Sequence, residues 1–456
     1  MEKYDMLLVN PYWSKLQGGL EHLGLGYIAA ELRSRDMKVK IIDIPINKWN
    51  EKKALDELAK ISTQLIGISL PFQEGAKEGL DFTKKLRKAG YTGHITIGGI
   101  YPTFAYEKIL AAYPEVNTVV LGEGEITIAE LCEHINFQKP AELNEIKGLA
   151  YRVNGKTIKT EIRPLVETLD TLAFPSRDTL EEVIKEHDFV SMMTSRGCYG
   201  RCGFCSVDPF YSQFGPKYRL RSSENVIKEM EYLHYSYGTR NFMFNDANFI
   251  GGKGKGQQRA KEIAEEIINR EWNIEFRIQC RVNDVDKELF ALLKKAGLSR
   301  VYLGVESGSQ TVLDRFKKDV SVEDNLKAVK ILSELGIFIS MGFIMFDYQL
   351  TVNELNENIS FLQEVKKIVP KGKLGYVHPL TKLMPLAGTE VEKYMLENNK
   401  YKGESLDEPY SFDDGVVNFL YSTASLGAKL IWKAKDLLKH RSEENLEWTK
   451  GWTEKA

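Results

Sequence analysis

The sequence predicts an α/β chain: an N-terminal doubly wound parallel sheet, a second domain of repeated β/α units, and a helical tail. Three observations point there. Short apolar runs alternate with amphipathic stretches of helical spacing along most of the chain. Its 456 residues exceed what one ordinary core holds. A tight group of cysteines divides the alternating pattern into two parts. The expected boundaries are 1–138 for the first domain, 139–187 for a linker with a small hairpin, 188–400 for the second domain and 401–456 for the tail.

In the first domain, candidate strands are Asp5–Asn10, Val39–Ile44, Leu65–Leu70, His94–Ile97 and Thr118–Leu121. Helical patterns near 22–33, 52–60, 74–88, 104–112 and up to about 135 separate them. Ligands of such sheets sit beyond the carboxyl ends of the strands. Those ends carry Asn10-Pro11, Ser69-Leu70-Pro71, Gly98-Gly99-Ile100-Tyr101 and Gly122-Glu123-Gly124-Glu125. Glycine pairs are also ordinary tight turns, so composition alone leaves a binding role and a plain turn open. Asn154-Gly155 then marks the turn of a hairpin.

The apolar run Phe189–Thr194 leads into Ser195-Arg196-Gly197-Cys198-Tyr199-Gly200-Arg201-Cys202-Gly203-Phe204-Cys205. A C-x3-C-x2-C loop gathers three soft thiolates on one small site. Iron–sulfur clusters ordinarily take four cysteines, so three leave one iron open. Zinc is the competing reading, but a structural zinc site takes four ligands, and only His187 or His234, neither in a motif, offers a fourth. The remaining cysteines, Cys132 and Cys280, stand alone and read as small apolar fillers.

Downstream, candidate strands Arg240–Asn245, Ile274–Gln279, Arg300–Val305, Phe338–Met345 and Leu374–Pro379 follow the cysteine strand, giving six β/α units. An open barrel of this kind carries its site at the C-terminal strand ends. These ends hold Asp246, Gln279, Arg281, Glu306, Ser307 and Asp347. In the tail, Leu426–Trp448 is expected to be an amphipathic helix with a basic flank that caps a domain; a membrane surface or an acidic partner is the other reading.

Composition narrows the partners. Hydrophobic residues make up 43 %, charged residues 28 %, and the net charge is −2. That balance lacks the basic footprint of an obligatory nucleic-acid partner. With no span-length apolar segment and no signal-peptide pattern, the chain is expected to be cytoplasmic with no obligatory membrane association.

The series LLVNP, HLGLGYIAAEL, GGIYPT and VVLGEGEITIAEL over residues 1–138, followed by the cysteine loop, resembles the B12-dependent radical S-adenosylmethionine (SAM) enzymes. GVESGSQTVLDRF and the turn Met384–Thr389 match further parts of that family's barrel. The resemblance implies a Rossmann-like cobalamin-binding domain joined to a partial (β/α)6 radical SAM barrel. It implies a [4Fe–4S] cluster on Cys198, Cys202 and Cys205, with SAM chelated at the open iron. It implies SAM contacts from Phe204, Asp246, Gln279, Arg281, Glu306 and Ser307. It implies cobalamin contacts from Asn10, Ser69, Leu70, Gly98, Gly99, Ile100, Tyr101, Gly122, Glu123 and Gly124. Two departures stand out: the Asp-x-His-x-x-Gly motif that gives cobalt a histidine in other B12 enzymes is absent, and Tyr101 occupies a position where the family often has histidine. The implied function is radical methylation of an unactivated carbon in a small-molecule or peptide substrate, with an external electron donor such as flavodoxin or ferredoxin. A cyclase or rearrangement enzyme on the same scaffold is the alternative. Methylthio transfer is disfavoured because only Cys132 lies in the N-terminal region.

Overall fold

The computed structural model describes residues 2–11, 20–137, 142–401 and 410–428. The first sheet has five parallel strands: β1 (Met6–Asn10), β2 (Val39–Asp43), β3 (Leu65–Ser69), β4 (His94–Gly98) and β5 (Thr118–Val120). Their order is β2-β1-β3-β4-β5, so the winding reverses between β1 and β3 and opens a crevice there. Strand alternation explains the two cores. Leu7 and Val9 pack with Ala54 of α2 (Glu51–Leu58), Leu80 of α3 (Ala76–Lys88) and Ile109 of α4 (Ile100–Ala112). Met6 and Leu8 pack on the other face, with Ala29 of α1 (Leu23–Ser34) and Leu131 of α5 (Glu125–Phe137). Cys132 lies in this second core.

The hairpin is more than a connector. Its strands β6 (Leu149–Val153) and β7 (Lys156–Lys159) extend the sheet antiparallel from β5, making seven strands. Positive φ at both Asn154 (51°) and Gly155 (78°) gives the turn whose twist suits a two-residue hairpin. Leu149 and Ala150 are fully buried in the sheet domain's cores, which rewards the pairing.

The second domain begins at β8 (Val190–Met192). A short antiparallel pair follows, β9 (Ser195–Gly197) with β10 (Tyr218–Leu220), and frames the cysteine loop. The main sheet continues with β11 (Asn241–Phe244), β12 (Glu275–Arg281), β13 (Leu298–Glu306) and β14 (Phe338–Phe343), all parallel, in the order β8-β11-β12-β13-β14. The sixth expected strand, Leu374–Pro379, does not form. That position is held by isolated bridges, Ile339 with Leu374 and Phe346 with Lys382. Pro379 lacks a donor N–H, and residues 375–381 leave extended pairing between the two bridges. Cys280 is buried in the barrel core, as expected of a filler.

The connector is fastened by a buried ion network. Arg177 donates to Glu21 at 2.8 Å and to Glu229 at 2.7 Å, and Arg221 also donates to Glu229. Glu229 is fully buried on the helix Ser223–Tyr237. Removing its carboxylate would leave the buried Arg221 guanidinium without its carboxylate partner and Arg177 with Glu21 alone. Glu229→Ala is therefore expected to cost about 3–5 kcal/mol in chemical denaturation, and a loss under about 1 kcal/mol would contradict this.

Candidate active site between the sheet and the barrel

The cysteine loop is shaped by its backbone. Gly197 has φ +85°, and a Cβ there would lie 1.8 Å from the carbonyl of Lys217, so the turn into Cys198 requires glycine. All three loop cysteines are free and partly buried. The Gly200 N–H donates to Cys198 Sγ at 3.4 Å, and Arg281 Nη1 donates to Cys202 Sγ at 3.1 Å. Burial pushes the Cys205 thiol up to about 12, and the nearby charges of Cys202, Cys198 and Glu306 add to the rise.

This arrangement fits a cluster. Among the described residues no three His, Cys, Asp or Glu side chains converge on a point for one ion. Three cysteines in one short loop would leave one iron of a [4Fe–4S] cluster without a protein ligand. Loading would release the protons that burial holds on Cys198 and Cys205.

Several expected contact residues are committed elsewhere. Asp246 Oδ1 accepts the N–H groups of Thr194 and Ser195, both at 2.7 Å, and its Oδ2 accepts the Thr194 hydroxyl at 2.6 Å. Arg259 joins from the far side, donating to Thr194. The carboxylate ties the start of the cysteine loop to the end of β11. Ser307 likewise turns its hydroxyl to Asn358 Oδ1 at 2.7 Å and is fully buried. Leu70 is fully buried in the sheet core and lines neither cavity described below. Glu306 sits at a bulge with φ +71°, its carboxylate 3.3 Å from Lys318 Nζ. Strained backbone of this kind is found where a side chain is aimed for use. Phe204 meets the edge of Phe316 with ring centroids 5.1 Å apart.

Two cavities adjoin the loop. One, of about 590 Å³, is walled by Asn10, Pro71, Ile100 and Tyr101 from the sheet domain and by Met193, Met243, Asn245 and Gln279 from the barrel. The other, of about 290 Å³, runs into the crevice past Ser69, Gly98, Gly99, Gly122, Glu123 and Gly124. Gly99 has φ +128°, and a Cβ there would strike the Leu70 carbonyl at 2.4 Å. The cavities share His22, Leu23, Gly24, Pro71, Ile100 and Met193. A corrinoid fits this lining: turn backbone surrounds it, and the buried Asn10 Oδ1 and His22 Nε2 have no hydrogen-bond partner among the described residues. Burial lowers the His22 imidazole to about 4, and its Nδ1 accepts the Leu25 N–H at 3.2 Å.

The groups that join the domains escaped the sequence reading. Arg196 donates to Glu123 at 2.8 Å and to Glu125 at 2.6 Å; Arg219 donates to Glu123 at 2.7 Å. All four side chains are under a tenth exposed. The Glu123 carboxylate therefore serves the domain junction, and the residue also lines the crevice cavity. Adjacency of Arg196 to the cysteine motif was the one signal available; Arg219 and Lys318 offered none. Burial disfavours the Glu123 charge, but Arg196 and Arg219 outweigh it and hold the carboxyl below its ordinary value. A depressed folded value stabilises above the unfolded value of about 4.3 and is lost as pH falls through the folded one. Denaturant titrations at neutral pH and at about pH 3 are thus expected to show a larger acid loss in the wild type than in Glu123→Gln. Equal losses would contradict the assignment.

Comparison with known proteins agrees with this layout. The B12 binding domain matches residues 11–132 and the radical SAM superfamily matches residues 192–362. An uncharacterized methyltransferase of Pyrococcus horikoshii is 29 % identical, over 90 % of this chain and 86 % of its own. The anaerobic magnesium-protoporphyrin IX monomethyl ester cyclase of Rubrivivax gelatinosus is 25 % identical, over 91 % of this chain and 76 % of its own. The fold superposes on the cobalamin-dependent SAM radical enzyme OxsB, solved with aqua-cobalamin and SAM, with a TM-score of 0.78 at 24 % identity, covering 94 % of this chain and 67 % of that one. A B12 binding domain set ahead of a radical SAM domain makes this chain a cobalamin-dependent radical SAM enzyme, with a [4Fe–4S] cluster, SAM and cobalamin as its cofactors.

Proposed function

We propose that the enzyme methylates an unactivated carbon of a small-molecule or peptide substrate held in the cavity between the sheet domain and the barrel. The observation that carries this reading is that cavity, whose walls come from both domains and which borders the cysteine loop through Ser206. When bound, the cluster with SAM supplies a hydrogen-abstracting 5′-deoxyadenosyl radical, and cobalamin carries the methyl group. The chain's own residues supply placement. Cys198, Cys202 and Cys205 would hold the cluster, leaving an open iron to bind SAM. The Arg281 guanidinium donates to Cys202 Sγ and holds that side chain in place. Glu306 and Gln279, at neighbouring strand ends, receive the polar parts of SAM, and Phe204 packs against its adenine. Asp246 and Ser307 act behind them by fixing the loop and the β13 turn. Asn10, Ser69, Ile100, Tyr101 and the glycine turns line the corrinoid space. Electrons come from an external one-electron donor such as flavodoxin or ferredoxin.

The methyltransferase relative supports methyl transfer, while the cyclase relative favours a second reading, radical cyclisation on the same frame. Product analysis separates them. Protein purified anaerobically and supplied with SAM, cobalamin and a strong reductant is expected to form both 5′-deoxyadenosine and S-adenosylhomocysteine. Formation of 5′-deoxyadenosine alone would favour cyclisation. Alanine at Cys198, Cys202 and Cys205 is expected to abolish bound iron and SAM cleavage; retained cleavage would defeat the cluster assignment.

A further inference from the structure

The tail helix expected over Leu426–Trp448 lies outside the described residues except for 426–428, where a helix that begins earlier ends its described part. Residues 415–428 are helical, and their outward face is bare: Val416 is 57 % exposed, Phe419 67 %, Leu420 41 % and Leu426 60 %. At about 100° per residue these four side chains fall within an arc of about 120°. Thr423 and Gly427 share that arc, and the whole stretch contains no charged residue. The helix is held from its opposite side, through the fully buried Val417 and through Tyr421. Single exposed apolar residues are ordinary on soluble proteins; a continuous uncharged stripe of four large ones is not.

We propose that this helix seats the enzyme on an anionic lipid surface. Two features select that occupant. The chain continues as Lys429-Leu430-Ile431-Trp432-Lys433-Ala434-Lys435-Asp436-Leu437-Leu438-Lys439-His440-Arg441, which adds five Lys or Arg against one Asp, interleaved with large apolar residues. Apolar side chains together with cations are the combination that binds an interface of acyl chains and anionic headgroups, and it contrasts with a whole-chain charge of −2. Among the described residues no helix is long and apolar enough to cross a membrane, so the helix would lie on the surface.

The seat connects to the cavity. Lys382 Nζ lies 4.1 Å from the ring centroid of Tyr410, 4.6 Å from Phe412 and 5.0 Å from Tyr421, and it donates to the Tyr410 carbonyl at 2.7 Å. That cage pins the segment leading into the helix to the barrel's sixth position. Met384 and Leu386, two and four residues beyond Lys382, line the larger cavity. A membrane under the helix would thus lie on the same strap that forms one cavity wall. The proposal does not depend on which radical reaction the enzyme performs.

The test is co-sedimentation of the full chain with vesicles of phosphatidylcholine alone or mixed with phosphatidylglycerol, alongside light-scattering mass measurement. Binding is expected to the mixed vesicles and to fall as salt rises. Phe419→Ser/Leu426→Ser is expected to weaken it about tenfold while bound iron and SAM cleavage stay unchanged. Lys433→Glu/Lys435→Glu is expected to remove the preference for the anionic lipid. Failure to bind either vesicle would overturn the proposal, as would binding unaffected by the serine pair. A dimer that those serines dissociate would instead assign the face to a second copy of the chain.

Discussion

The architecture depends on one buried ion pairing, Arg196 with Glu123 and Glu125. Arg196 stands two residues before the first cluster cysteine, and the two glutamates stand at the end of β5 and the start of α5. The guanidinium is thus shared between the segment leading into the cysteine loop and the turn that borders the crevice. Burying such charges is costly unless geometry and hydrogen bonding are complete. Here Arg219 supplies a second cation to Glu123, and the Arg196 guanidinium also lies 5.1 Å from the ring centroid of Tyr27 on α1.

Around it the protein repeats one device: a charged group buried at a strand end that immobilises backbone near the cavity. Asp246 and Arg259 grip Thr194 ahead of the cysteines. Arg177 fastens the connector to Glu21 and Glu229. Arg315 pairs with Asp347 and Glu354 beside the β14 end. Each tie is expensive to leave half-made, so each favours a single arrangement of loops that would otherwise have several. Reactive intermediates require such confinement, since a loose wall would admit water or misalign the target carbon.

The sequence made the alternating elements legible because strand and helix periods differ and each buries a continuous apolar face. The parallel order of both sheets and the cysteine loop follow from local pattern. What stayed hidden is long-range. Glu123 and Arg196 are 73 residues apart, and nothing local in GEGE distinguishes a carboxylate that meets an arginine from one that meets a cofactor. The bonds of Asp246 to Thr194 and Ser195 were hidden for the same reason: a strand-end aspartate has the same local signature whether it caps a neighbouring loop or faces a ligand. The hairpin looked like a linker because its partner edge, β5, lies ahead of an entire helix. The sixth strand failed because an apolar run records burial and not hydrogen bonding.

The central claim is that cluster and corrinoid share one interdomain cavity. The most direct measurement is electron paramagnetic resonance of protein holding both the reduced cluster and cob(II)alamin. The account predicts signals split or broadened by mutual dipolar coupling, reverting to the two separate spectra when either cofactor is made diamagnetic. Two unperturbed signals, each identical to that of protein carrying one cofactor, would contradict it.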